Sequence, residues 1–194
     1  MADVLSNTIF FQNQHRMIPI IHPGKYLQTF YGPLLRKPPM CLRYVIWALA
    51  AAGNNKYDEY HEIFYRRSRQ YMEADTMKGH GDVFVSIQHA QTWALVAFYE
   101  ARMLLFTRST ISVANCVRLC HMMGLDRLDG DHVNMPPALG PPLTWAELEE
   151  RRRIFWGVFA ADSHCCISTG WPTLIDSDDV CLLDFSDQHM LITS

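Results

Sequence analysis

Residues 144–172 read TWAELEERRRIFWGVFAADSHCCISTGWP, and their spacing predicts one long helix with a strong start and a marked stop. Thr144 and Glu147 stand at capping-box distance: the Thr oxygen can accept a free N–H of the first turn while Glu147 reaches back. Glu147, Glu149 and Glu150 place negative charge near the positive end of the helix dipole. Glu147–Arg151 and Glu149–Arg153 are i,i+4 pairs in the favourable order. Gly170, just before Trp171-Pro172, supplies the stop. Between these ends lies IFWGVFAA, residues 154–161, with no charge on any face. Such a segment must be covered on nearly all sides, so it is expected to be the central helix of a helical domain. Asp162 follows at once. At about 100° per residue it falls between Phe155 and Val158, so it points inward, and a buried carboxylate must find a partner. Arg151 is too far along the helix. Arg118, on the preceding predicted helix, is the expected partner, in an ion pair that fixes helix register.

Outward from this stretch the chain keeps a helical period. Residues 1–21 have no sustained period and read as a lead-in segment. His22-Pro23-Gly24 is a turn, followed by a short helix at 25–31. A helix over 40–52 carries Leu42, Val45, Ile46 and Leu49 on one face. The next, over 56–77, is expected to be capped by Asn54 or Asn55, with Tyr57, Tyr60, Phe64, Tyr71 and Met72 as its stripe. Residues 82–106 form another. After a link near 107–109, a further helix runs to Met123 and stops at Gly124. Residues 129–142 are a loop. No strand pattern, repeat or low-complexity segment is present. The expected fold is all-α: an array of about six mostly antiparallel helices around a central helix near 145–169. The expected organisation is a lead-in over 1–21, one domain over 22–185 and a tail over 186–194.

The totals bound the function. The 194 residues are 49% apolar, which excludes global disorder. Asp plus Glu number 20 against 17 Lys plus Arg, for a net charge of −3. A chain that holds DNA or an anionic membrane mainly by its own charge is therefore not expected. The longest nearly apolar runs, 45–52 and 154–161, fall far short of the roughly 20 residues of a membrane span. No signal peptide pattern opens the sequence. None of the six cysteines sits in a C-x-x-C spacing, which points to free thiols in a reducing compartment.

Each chemical motif has a plainer reading. Asp176-Ser177-Asp178-Asp179 matches the D-x-D-D proton donor of some terpene cyclases, but reads better as an acidic loop. A small helical enzyme would need this motif or a Cys–His pair, and nothing marks one thiol out. Cys116, Cys120 and His121 lie about one helical turn apart, yet no second cluster completes a zinc set, so they read as a packed face. His164-Cys165-Cys166 are adjacent on a helix and point apart. Arg66-Arg67 with Arg69, and the run Arg151, Arg152, Arg153, could serve as import or nucleic-acid patches. Acids at pairing distance make the second run read as a solvated, salt-bridged face. No P-loop, G-x-S-x-G or G-x-G-x-x-G occurs.

Three stretches carry a family resemblance. The first is His22-Pro23 followed by WALAAAG at 47–53. The second is C-x-R-x-C-x-x-M-G-L-D-R at 116–127, similar to a family pattern A-x-R-x-A-x-x-L-G-L-H-R. The third is E-R-R-R-x-F-W-x-x-F-x-x-D at 150–162, continuing through G-x-P at 170–172 to Asp178-Asp179. In this order and spacing they resemble the middle homology region, or regulatory domain, of fungal zinc-cluster transcription factors. The resemblance implies transcription regulation, a nuclear location without a clear import signal in this chain, and no catalytic residues. It implies protein partners of the transcription machinery or an intramolecular activation domain, and in some members a small-molecule effector. Zinc and DNA contact would belong to a separate zinc-cluster module, which nothing here matches, so no cofactor is expected in this chain, and no membrane partner. The region is expected to be incomplete at its C-terminus. Candidate structural or regulatory positions are Arg118, Arg152, Phe155, Trp156, Gly157, Phe159, Asp162, Gly170 and Pro172. A stand-alone helical sensor or interaction module is the alternative reading.

Overall fold

The computed structural model describes residues 2–79, 82–129 and 138–176. Among the described residues there are seven α-helices and no strand: α1 (Ala2–Asn13), α2 (Pro23–Phe30), α3 (Met40–Ala51), α4 (His61–Thr76), α5 (Ile87–Arg102), α6 (Phe106–Met123) and α7 (Trp145–Thr169). The fold is all-α, as expected, with one helix more.

That helix is α1. Its period is invisible in the sequence because its inner face is partly polar. Asn7 is buried there, and its side-chain oxygen accepts the Tyr26 hydroxyl at 3.3 Å and the Trp47 indole N–H at 3.2 Å. Phe10, one turn on, is fully buried.

Helix boundaries follow from local chemistry. His22 caps α2, accepting the Lys25 N–H, with Pro23 opening the helix. Ser86 caps α5 and Thr144 caps α7. Gly124 and Gly170 end α6 and α7 in the left-handed conformation, with φ of 69° and 72°. α4 departs from expectation. It starts at His61, after a 3-10 turn over Asp58–Tyr60, and no side chain caps it. Asn54 instead closes a local turn onto the Lys56 N–H. The buried side of α4 is Tyr65, Ser68, Met72 and Asp75; of the expected stripe Met72 is on it, and Phe64 and Tyr71, partly buried, pack against Tyr44 and Trp47 of α3. α5 and α6 are joined through Leu104, which takes a positive φ of 60°.

The most enclosed helix is α3, with nine of its 12 residues buried. It packs on α1, α4 and α5; α5 in turn packs on α6 and α7. Glu100 of α5 is wholly buried and accepts hydroxyls from Tyr65 of α4 at 2.5 Å and Ser112 of α6 at 2.6 Å. α7 buries Ile154, Phe155 and Val158, while Trp156, Gly157 and Phe159 are half-buried and Ala160 is exposed. The covering expected around 154–161 is therefore one-sided.

Candidate functional site

The uncovered side of α7 borders an open-sided apolar cavity of about 900 Å³, lined also by α5, α6 and residues 14–20. Its origin is visible in the residues. α5 offers Ala94, Ala97 and Ala101 at helical spacing, and α7 offers Gly157, Ala160 and Ala161. Two faces of small residues cannot fill the space between them. Phe98, Val113 and Trp156 complete the apolar lining, and Arg102, Arg153 and His164 add polar groups. Small residues such as Gly157, Ala160 and Ala161 on one helix side allow a neighbouring helix to approach closely. What approaches Gly157 is instead the segment before α2: a Cβ at Gly157 would stand 2.9 Å from Ile20 Cγ2.

Nearer its start, α7 is held by polar ties, most from the E-R-R-R stretch. At its first turn the Thr144 hydroxyl accepts the Glu147 N–H at 3.2 Å, and Glu147 reaches back to the Leu143 N–H at 3.1 Å. Burial works against ionised Glu147, but that N–H and Arg151 outweigh it and hold its carboxyl below the ordinary value. Arg151 donates to Glu147 and to the Gly140 carbonyl, both at 2.8 Å. Arg153 donates to Glu149 at 2.7 Å. Both i,i+4 pairs thus form as spaced. The face is not solvated, however: Arg151 and Arg152 are buried. Arg152 makes a two-pronged bond to Asp129, which lies just beyond α6. Glu150 is also buried, and takes Lys25 Nζ of α2 at 2.6 Å and the Gln91 amide of α5 at 2.9 Å. Gln91 also donates to the Ile20 carbonyl at 3.0 Å. Nothing in the spacing of Lys25 or Gln91 marks them; only the fold brings them to Glu150.

Asp162 is buried, with 4% exposure. Its partner is not Arg118, which lies exposed on α6, beyond the inward row of Cys116, Val117, Leu119 and Cys120. The carboxylate accepts the backbone N–H groups of Leu174 and Ile175 at 2.7 and 3.0 Å instead. The chain turned back by Gly170 brings those donors to it. Pro172 is exposed in that returning segment. Phe155 is fully buried, and Trp156 stands edge-on between Phe155 and Phe159.

The other candidates separate. Cys116 and Cys120 are buried, and burial pushes the Cys116 thiol well up. His121 turns toward Asp126 at 3.5 Å. His164 is exposed, with Cys165 and Cys166 half-buried. Asp178 and Asp179 of the D-x-D-D motif, and Cys181, lie outside the described residues. No described helix is long and apolar enough to cross a membrane.

The fungal specific transcription factor domain matches residues 8–190, nearly the whole chain. The chain belongs to that family. The resemblance read from the three stretches is thereby borne out, and the family is one of transcription factor domains, not of enzymes. The pigment biosynthesis transcriptional activator of Monascus ruber is 29% identical over 89% of this chain and 31% of its own length. The citrinin biosynthesis transcriptional activator of the same organism is 26% identical over 90% of this chain and 34% of its own. The ascochitine biosynthesis cluster transcriptional regulator of Didymella fabae is 28% identical over 89% and 30%. The fungal transcription factor domain chain thus spans about a third of the length of the curated relatives it matches. No solved structure matches it.

Proposed function

We propose that this chain is the regulatory domain of a nuclear fungal transcription factor serving a biosynthetic gene cluster, and that it acts through partner or effector interactions rather than by touching DNA. One observation carries the second half. The densest basic run, Arg151 to Arg153, is committed inside the fold to Glu147, Asp129, Glu149 and the Gly140 carbonyl. Duplex affinity comes largely from cations available to displace counterions from phosphates. Here those cations are occupied, and acids exceed bases by three over the whole sequence. The relatives' names support the gene-cluster reading, since each describes a regulator of a biosynthetic pathway. In this reading no catalytic residue is present, and DNA is reached through a separate module of the factor.

The test is a titration of the purified chain with duplex DNA at physiological salt. Weak binding that vanishes with modest salt is the expected result. Sequence-selective binding with a steep salt slope would overturn the proposal.

The cavity favours one version of it, in which the effector is a small, mainly apolar molecule. A ligand that raises the melting temperature of the chain should lose that effect in Ala161→Phe, which fills the lining. An undiminished shift in that variant would move the effector elsewhere.

A further inference from the structure

We propose that Cys41, Asp75 and His89 form a binding site for a divalent transition metal of the zinc class. The three residues come from the start of α3, the end of α4 and the start of α5, and all three are buried. Their ligand atoms lie within 4.8 Å of one another. Cys41 Sγ is 4.0 Å from Asp75 Oδ2, and His89 Nε2 is 3.3 Å from the same oxygen. A tetrahedral ion with bonds of about 2.0–2.3 Å needs donor separations of this order. Thiolate, imidazole and carboxylate together suit zinc better than magnesium or calcium.

The surroundings are those of a ligand set. His89 Nδ1 is held by the Ser86 hydroxyl at 2.8 Å, which turns Nε2 toward Cys41 and Asp75. A fixed outer nitrogen of this kind orients and strengthens a metal-binding imidazole. Lys78 covers the other Asp75 oxygen, and its own side chain is 62% exposed, so it can swing out to solvent. Without a metal, burial pushes the Cys41 thiol up to about 11. A divalent ion binds the thiolate and releases that one proton to solvent, so no further reactant is needed. A fourth ligand would come from water on the Lys78 side. The expectation of no metal in this chain rested on motif spacing, and here the ligands are 34 and 14 residues apart in sequence.

The site ties three helix ends together, so binding is read directly and not through gene regulation. The purified full chain, stripped with chelator, is titrated with Co²⁺ as a spectroscopic stand-in for zinc. One ion per chain is expected, with a cobalt–thiolate charge-transfer band and the intense visible bands of a four-coordinate site. Cys41→Ser and His89→Gln should abolish the thiolate band with helical content retained. The double variant Cys165→Ser, Cys166→Ser should keep it. Ser86→Ala should weaken binding about tenfold with all ligands intact. Lys78→Met, at the surface, should tighten it several-fold by removing the competing cation. Absence of the band in the unmodified chain, or its survival in Cys41→Ser, overturns the proposal. Should the ligand variants fail to fold, Lys78→Met decides: unchanged affinity overturns it.

Discussion

α3 and the middle of α7 are equally apolar to the eye, yet they end in opposite settings. Cys41 to Ala51 of α3 is wrapped by α1, α4 and α5, with Val45, Ile46, Ala48 and Leu49 at 0% exposure. Ile154 to Ala161 of α7 is covered on one side only, and its glycine and alanines face the cavity. The difference lies in what accompanies the apolar run. α3 combines large apolar side chains with alanines that its neighbours cover, and burial of apolar area holds it. α7 has small residues on the side facing α5, which is also lined with alanines there, and charged side chains nearer its start add to its attachment. An uncharged helix surface excludes contact with bulk water; it does not specify that protein supplies the cover.

That contrast can be broken at several points. In α3, Ile46→Ala should cost about 2–5 kcal/mol in a denaturant melt, the range for truncating a fully enclosed aliphatic side chain. Arg152→Ala should cost about 1.5–3 kcal/mol, because it removes the two-pronged, charge-assisted tie between α7 and Asp129. A loss below about 1 kcal/mol would show that α7 is not held by its charges. Asp162→Ala leaves two backbone N–H groups without their acceptor, and the expected loss is about 1–3 kcal/mol. An Arg partner would have made it larger. On the cavity side of α7, Gly157→Leu should cost about 1–3 kcal/mol by collision with Ile20. Ala160→Leu, three residues on and open, should stay within about 0.5 kcal/mol. Equal penalties for the two would mean that the space is not there.

The smallest effect concerns acid. The Glu147 carboxyl titrates below its ordinary 4.5 in the folded chain. The unfolded state then holds more protons over that interval, so Glu147 stabilises above about pH 4.5 and its contribution fades as pH falls below it. Glu147→Gln should therefore lower the melting temperature at pH 6 and flatten its decline between about pH 5 and 3. A parallel decline in both proteins would remove Glu147 from the ties of α7.

Much of this was legible locally. Thr144, Glu147 and Gly170 mark α7 to the residue, and both of its i,i+4 ion pairs form. Asp162 is inward because helical spacing alone puts it there. Its donors were not legible, since Leu174 and Ile175 reach it only after Gly170 reverses the chain. Glu150 is similar: its partners Lys25 and Gln91 are 125 and 59 residues away. α1 was missed because a buried Asn7 breaks the apolar period. The cavity was missed because small residues at helical spacing predict close approach, and only tertiary placement decides whether a neighbour comes.

In the proposed regulatory reading, Asp162 has a further consequence. α7 is a wall of the cavity through Ala161 and Cys165, while the carboxylate between them grips the backbone at Leu174 and Ile175. An occupant that tilts this wall must drag the returning segment with it or break two hydrogen bonds. Linkage works in both directions. Whatever force or docking acts on the chain at Ile175 alters the affinity inside by the same factor that filling the space alters the docking. In that reading one short acidic side chain couples the cavity wall to the returning segment.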